Sequence, residues 1–218
     1  PPRRVIRNSI IACMVLAVGF GIWNEVFLYR VFPKRWGVVK AGAIYRSGQL
    51  SDALVYRMLK DHKIERVIDL TCGIPVDGRY QLAERDAIEK LNIESIMIPL
   101  RGNGTGSIEN YSQAVSEIHH SVQQGRPVLV HCSAGSQRTS GVLTYYLVLV
   151  QHLNPVEVVG SMRQYGYGPK QSPDLIAFLN RNMRRMAYSL VEKGVLEAVP
   201  DKLPLLPTAR SGNRPFVS

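Results

Sequence analysis

The sequence predicts an α/β domain, a mostly parallel sheet flanked by helices, preceded by one transmembrane helix. Three observations carry that expectation. Short apolar runs (ERVIDL at 65–70, ESIMIP at 94–99, PVLVH at 127–131) alternate with longer stretches of helical period. Such alternation argues for parallel strands covered on both faces. A third feature is an apolar run at 10–29, 20 residues long, which as a helix spans about 30 Å, the thickness of a bilayer's hydrocarbon core. At 218 residues and 45% hydrophobic, the chain has room for one packed domain and an appendage, not two full domains.

Taken in order, residues 1–8 form a basic flank (Arg3, Arg4, Arg7), 9–30 the membrane anchor and 31–42 a juxtamembrane segment. The apolar run is uncharged as far as Trp23. Asn24 and Glu25 fall near one end, within reach of headgroups, and Trp23, Tyr29 and Trp36 suit an interface. A cleaved signal peptide is the competing reading, but no small-x-small site follows the run; a buried helix of the domain is the blander one. Basic residues flank both ends, so charge bias leaves the membrane face of the domain open.

The domain is expected over 43–194. It opens with a short strand at 43–46 and a helix from Ser51, as N-cap, to about His62. The strand at 65–70, a helix at 80–91 and the strand at 94–99 follow. A Gly-rich loop at 101–107 leads to a helix from about 108 to 124, stopped by Gly125. Then come the strand at 127–131, a tight loop, a helix at 139–151, and two more near 155–165 and 173–193. The Pro-spaced tail, 195–218, is either a mobile extension or a wrap.

The net charge of +10 invites a nucleic-acid reading, but its placement speaks against one. Residues 1–46 hold eight basic side chains and one acid, leaving 19 basic and 16 acidic for the rest. The excess brackets the apolar run instead of coating a folded face, so the expected partner is a membrane, not a nucleic acid. Three cysteines (Cys13 in the run, Cys72, Cys132) make no disulfide framework. His119 and His120, adjacent on a helix, cannot share a face, and no metal site is expected.

The chemistry concentrates in Val128-Leu-Val-His131-Cys132-Ser133-Ala134-Gly135-Ser136-Gln137-Arg138-Thr139. A Cys six residues before an Arg is common by chance; an apolar strand before it, a glycine in the loop and a helix after it are the informative context. That geometry makes an anion cradle. Backbone N–H groups from Ser133 to Gln137 and the helix N-terminus converge on one point. Cys132 at its lip is expected to ionise below the ordinary thiol range. Arg138 can grip two phosphate oxygens with its planar fork, and Thr139 can donate a hydrogen bond to the thiolate.

His131-Cys132-x5-Arg138-Thr139 resembles the signature loop of cysteine-dependent protein tyrosine and dual-specificity phosphatases. Ala43-Ile-Tyr-Arg-Ser-Gly-Gln-Leu-Ser51 looks like the opening strand and turn of the smaller bacterial and fungal members. The likeness covers roughly residues 41–180. It implies a two-step reaction in which Cys132 attacks phosphorus, a cysteinyl-phosphate forms and water hydrolyses it, with no metal or cofactor. It implies a phosphorylated protein or a phospholipid as substrate, a structural role for His131, and framework roles for Arg46 and Ser47. Arg101 and Lys170 are possible substrate contacts. Some lipid-phosphatase relatives carry a cysteine in the region of Cys72, which implies a reversible Cys72–Cys132 disulfide as a protective switch.

One departure from the family stands out. Where relatives place an aspartic acid that protonates the leaving oxygen, residues 100–107 carry no carboxylate, and Asn103 cannot supply a proton. Glu109 and Asp77 are the substitutes the sequence offers, each equally readable as a solvated surface acid. A catalytically impaired phosphatase-like module that binds phosphorylated partners is therefore the alternative. A rhodanese-type sulfurtransferase is a third, opposed by His131 and Thr139.

Overall fold

The computed structural model describes residues 28–72, 78–168 and 172–208, together with Asn8, Cys13, Met14 and Gly19. Five strands form one sheet in the order β1-β2-β5-β3-β4. The strands are β1 (Gly37–Lys40), β2 (Ile44–Gly48), β3 (Arg66–Asp69), β4 (Glu94–Met97) and β5 (Val128–Cys132). The last four run parallel, and β1 is an antiparallel edge. Central β5 is buried at every position, as its unbroken apolar sequence requires.

Helices cover both faces. On one side pack α1 (Val55–Asp61) and α2 (Arg79–Leu91), whose Leu59 and Ala87 meet Tyr45, Val67 and Leu129 of the strands. On the other lie α3 (Ile108–Gln123), α4 (Gln137–Tyr145), α5 (Pro155–Gln164) and α6 (Leu175–Glu192). Their Val115, Val142, Met162 and Leu179 bury Ile44, Ile68, Val128 and Val130. Strand side chains alternate between faces. Cys132 therefore shares the α3–α6 side with Val128 and Val130, and His131 points to the α1–α2 side with Leu129.

Local chemistry accounts for most boundaries. Ser107 caps α3 by accepting the Glu109 N–H at 3.2 Å, and Asn154 caps α5, where Pro155 stands at the first position. Left-handed Asn92 ends α2, and Gly125 follows α3. Three expectations need correction. Helix α1 begins at Val55, not Ser51, because the Ser51 carbonyl, not its hydroxyl, receives the Leu54 and Val55 N–H groups. Helix α4 starts two residues before the expected 139 and gives way at Tyr146–Val150 to a wider π-helical turn. The segment read as juxtamembrane, 31–42, enters the sheet as β1, whose pairing partner was not apparent from four residues alone.

The tail is a wrap as far as it is described. Asn180 on α6 accepts the Leu206 N–H and donates to its carbonyl, and Leu206 is buried. Among the described residues no helix is long and apolar enough to cross a membrane. The apolar run expected to do so lies almost wholly outside those residues, as do Asp77 and Lys170.

Candidate active site

The signature segment leaves β5 at Cys132, turns through Ser133–Ser136 and enters α4 at Gln137. Gly135 is held at φ +70°, a conformation costly for any residue with a Cβ, and its Cα faces the β2 backbone so closely that a Cβ would lie 2.3 Å from the Gly48 nitrogen. The Gly135 N–H donates to Cys132 Sγ at 3.2 Å. Burial alone would raise the Cys132 thiol; the Thr139 side chain, the Arg138 charge and the Thr139 and Gly135 N–H groups outweigh it and hold the thiol below its ordinary value. The Thr139 hydroxyl is buried, and its nearness to the sulfur favours the thiolate. Arg138, 7% exposed, donates from Nη1 to the Leu70 carbonyl at 3.3 Å.

The loop is braced from outside by residues distant in sequence. Arg46 Nη2 donates to the Gly135 carbonyl at 2.7 Å and to Ser140 Oγ at 3.0 Å, and its guanidinium lies 3.8 Å from the centre of the Tyr165 ring. Burial lowers its pKa to about 10, still charged at neutral pH. Ser47 beside it is fully buried, so both belong to the framework. Arg35 Nη1 donates to the Ala134 carbonyl at 2.7 Å, and the Gly48 N–H bonds the Lys34 carbonyl at 2.7 Å. The segment around residues 34–35 thus lies directly on the signature loop.

His131 sits on the opposite face of β5. Its Nε2 is 2.7 Å from Glu84 Oε1 on α2 and 3.9 Å from Asp69 Oδ1. Burial alone would lower its pKa, but the Glu84 and Asp69 charges raise it to about 9. Glu84 is correspondingly lowered: desolvation opposes its charge, and His131 and then Gln49 overcome that penalty.

The acid-deficient loop is well ordered by its own contacts. Asn103 Oδ1 accepts the Thr105 N–H at 3.0 Å and hydroxyl at 2.8 Å, so its carbonyl is used in its own turn. Gly104 lies against Gln137, where a Cβ would come within 3.0 Å of the Gln137 Cβ. Arg101 is exposed in the same loop. Glu109 faces α6, in a hollow shared with Arg185 and Tyr188, and Lys193 Nζ, just beyond the end of that helix, lies 2.6 Å from its Oε1. The structure therefore brings Cys132, the 133–137 loop, Arg138 and Thr139 together, and engages Glu109 elsewhere. Cys72 is exposed and Cys132 buried, both as free thiols; Cys72 lies two residues beyond Leu70, whose N–H bonds the His131 carbonyl. Among the described residues no group of three His, Cys, Asp or Glu side chains is placed to hold a metal.

Sequence reasoning missed Glu84, Gln49 and Arg35. Glu84 reads as one more polar position on an amphipathic helix, and Arg35 as one of several anchor-flanking cations. Only Gln49, inside the quoted 43–51 stretch, carried a local signal.

The model of the dual specificity phosphatase catalytic domain matches residues 47–184. The chain belongs to this family. It is accordingly a cysteine-dependent phosphatase. Among solved structures, TpbA of P. aeruginosa is 16% identical over 67% of this chain and 83% of its own, with a TM-score of 0.54. PTPMT1 is 18% identical over 70% of this chain and 99% of its own, at 0.55. The core catalytic domain of SIW14 from S. cerevisiae is 15% identical over 76% and 96%, at 0.56. At these identities the likeness is one of fold.

Proposed function

We propose that this phosphatase hydrolyses phosphate monoesters through a cysteinyl-phosphate, at a membrane surface. Cys132 attacks phosphorus while the N–H groups of residues 133–137 and the Arg138 fork hold the equatorial oxygens. Arg138 exchanges its bond to the Leu70 carbonyl for the phosphate. Thr139 donates to the sulfur, stabilising it first as nucleophile and then as leaving group. Water then releases phosphate. The observation that carries this reading is the Gly135 N–H aimed at a Cys132 sulfur that is lowered despite its burial.

For the proton donor we favour Asp77 over Glu109. Glu109 is paired with Lys193, which leaves Asp77, the acid that follows β3 in the sequence, as the favoured donor. One observation favours the second reading, an impaired phospho-binding module: the 100–107 loop presents Asn103 with its oxygen tied into its own turn.

A single-pass anchor over 9–30 is part of this proposal, and the position of residue 34 supports a membrane-borne substrate. From Tyr29, the end of the apolar run, to Lys34 the chain spans at most about 17 Å, and Lys34 bonds a residue that lies level with Cys132. A site so near a bilayer meets phosphates carried on lipid headgroups or on the juxtamembrane parts of proteins. Structures of fold neighbours exist for both kinds of ligand, TpbA with pTyr and PTPMT1 with PI(5)P. The test is hydrolysis of an activated aryl phosphate by the full chain in vesicles, beside Cys132→Ser. Steady turnover lost in the serine variant supports the phosphatase. A single burst or no turnover, with phosphate still bound by folded protein, supports the binding module.

A further inference from the structure

Three successive peptide units of the signature loop have their carbonyls held from outside it. The Ser133 carbonyl accepts the Gln49 N–H at 3.2 Å, that of Ala134 the Arg35 Nη1 at 2.7 Å, and that of Gly135 the Arg46 Nη2 at 2.7 Å. A trans peptide is planar, so its N–H points opposite to its C=O. Holding each carbonyl outward therefore turns the following N–H, those of Ala134, Gly135 and Ser136, towards the cradle. The middle unit is the one that reaches the nucleophile. Its carbonyl lies on Arg35, and its N–H donates to Cys132 Sγ at 3.2 Å.

The outer two units are held by the sheet itself, since Arg46 lies on β2 and Gln49 directly follows it. Arg35 comes instead from a turn ahead of β1, in which the Trp36 N–H bonds the Pro33 carbonyl at 3.4 Å. That turn is shaped to aim its side chain. Arg35 stands at φ +47°, a left-handed conformation uncommon for a residue with a Cβ. The Gly48 N–H ties the neighbouring Lys34 carbonyl at 2.7 Å. Gly166, just after α5, backs the guanidinium so closely that a Cβ there would lie 2.7 Å from Arg35 Nε. At the far end of the middle unit, Gly135 has no Cβ to restrict rotation of the plane. The orientation of that plane thus depends on Arg35.

Resting on the phosphatase reading above, we propose that Arg35 is a positioning residue for that reaction: by gripping the Ala134 carbonyl it aims the Gly135 N–H at Cys132 and strengthens that donor. A cation on the carbonyl oxygen polarises the amide, so the N–H at its other end becomes more positive. Without Arg35 the plane is free to turn its N–H off the sulfur, and the thiolate loses a donor. The turn that follows the apolar run is thereby part of the active site.

The experiment uses the full chain in vesicles, as wild type, Arg35→Met and Arg35→Lys, with thermal melts as a check on folding. Two quantities are read: the pH midpoint of iodoacetamide alkylation, measured by mass on the peptide that carries Cys132, and kcat/KM on an aryl phosphate. The charged and titratable groups around the sulfur, Arg138, Arg46, His131 and Tyr111, are the same in all three chains, so a shift reports the Arg35 side chain. Arg35→Met keeps the stem and removes the donor. It is expected to raise the midpoint by about one unit, leaving roughly tenfold less thiolate on the acidic limb, and to lower kcat/KM there about tenfold. Arg35→Lys, whose ammonium can give the same carbonyl one charge-assisted bond, restores most of both. An unmoved midpoint in a folded Arg35→Met overturns the proposal. So does a raised midpoint that lysine does not restore, since the charge on the carbonyl is then not its cause. In a chain that turns over, a raised midpoint with kcat/KM unchanged overturns it as well. Should Arg35→Met not fold, Arg35→Gln keeps a polar amide at the turn and removes the charge; a raised midpoint supports the proposal and an unmoved one overturns it. Alkylation needs no turnover, so the expected shift in a chain that hydrolyses nothing would defeat the phosphatase reading alone.

Discussion

Gly135→Ala probes how tightly the signature loop is built. The glycine stands at φ +70°, and its Cβ would lie 2.3 Å from the Gly48 nitrogen and 2.6 Å from the Ser47 carbonyl carbon and oxygen. These are backbone atoms of β2, whose Ser47 and Gly48 pair in register with His131 and Cys132. A side chain there could turn aside; a paired strand cannot. Ordinary contact needs about 3.5 Å, so the loop must move by ~1 Å. The left-handed backbone costs ~1–2 kcal/mol with a Cβ, and overpacking adds ~1–3 kcal/mol. A stability loss of ~2–5 kcal/mol in urea melts is expected. A shift of ~1 Å in the groups that cradle phosphate should lower kcat/KM on an aryl phosphate by roughly 10²-fold. A variant that loses under ~1 kcal/mol and keeps kcat/KM within about threefold would refute this account of the loop.

Other outcomes follow from the same geometry. His131 has a folded pKa of about 9, raised above the ordinary 6.5, so its contribution to stability is complete below pH ~6.5 and is lost as pH rises towards 9; urea melts at these two pH values should show a decline that Glu84→Gln lacks. Arg66, 6% exposed, binds both oxygens of Glu94 at 2.8 and 3.0 Å and Glu117 at 2.8 Å; because water reaches both partners, Arg66→Ala should cost ~2 kcal/mol, less than a fully buried pair, and leave kcat/KM unchanged. Asp77→Asn should slow alkyl phosphate hydrolysis by roughly 10²–10⁴-fold and activated aryl phosphates far less, whereas Glu109→Gln should leave both rates alone; the reverse pattern would transfer the proton to Glu109.

The signature loop was legible because its chemistry is contiguous. Seven residues carry the nucleophile, the backbone donors and the arginine, and the apolar run before them announces the strand that presents them. The sheet was legible for the same reason: β3, β4 and β5 each follow from a short apolar run. The supports were not legible, since topology supplies them. Arg46 acts on the loop from 89 positions away, Arg35 from 99 and Gln49 reaches Glu84 across 35. Edge strand β1, four residues half open to solvent, has no signature beyond its partner β2. Glu84 illustrates the limit most clearly: its sequence context is that of a surface helix, and only the turn of α2 against His131 makes it a buried ion.

The most direct test of the account is rapid quenching of the full chain during turnover of an aryl phosphate, with mass analysis of the peptide that carries Cys132. The account predicts a phosphoryl group on Cys132 that forms in the first turnover, decays with substrate depletion and is absent in Cys132→Ser. Steady hydrolysis with no phosphorylated cysteine, undiminished in Cys132→Ser, would contradict it.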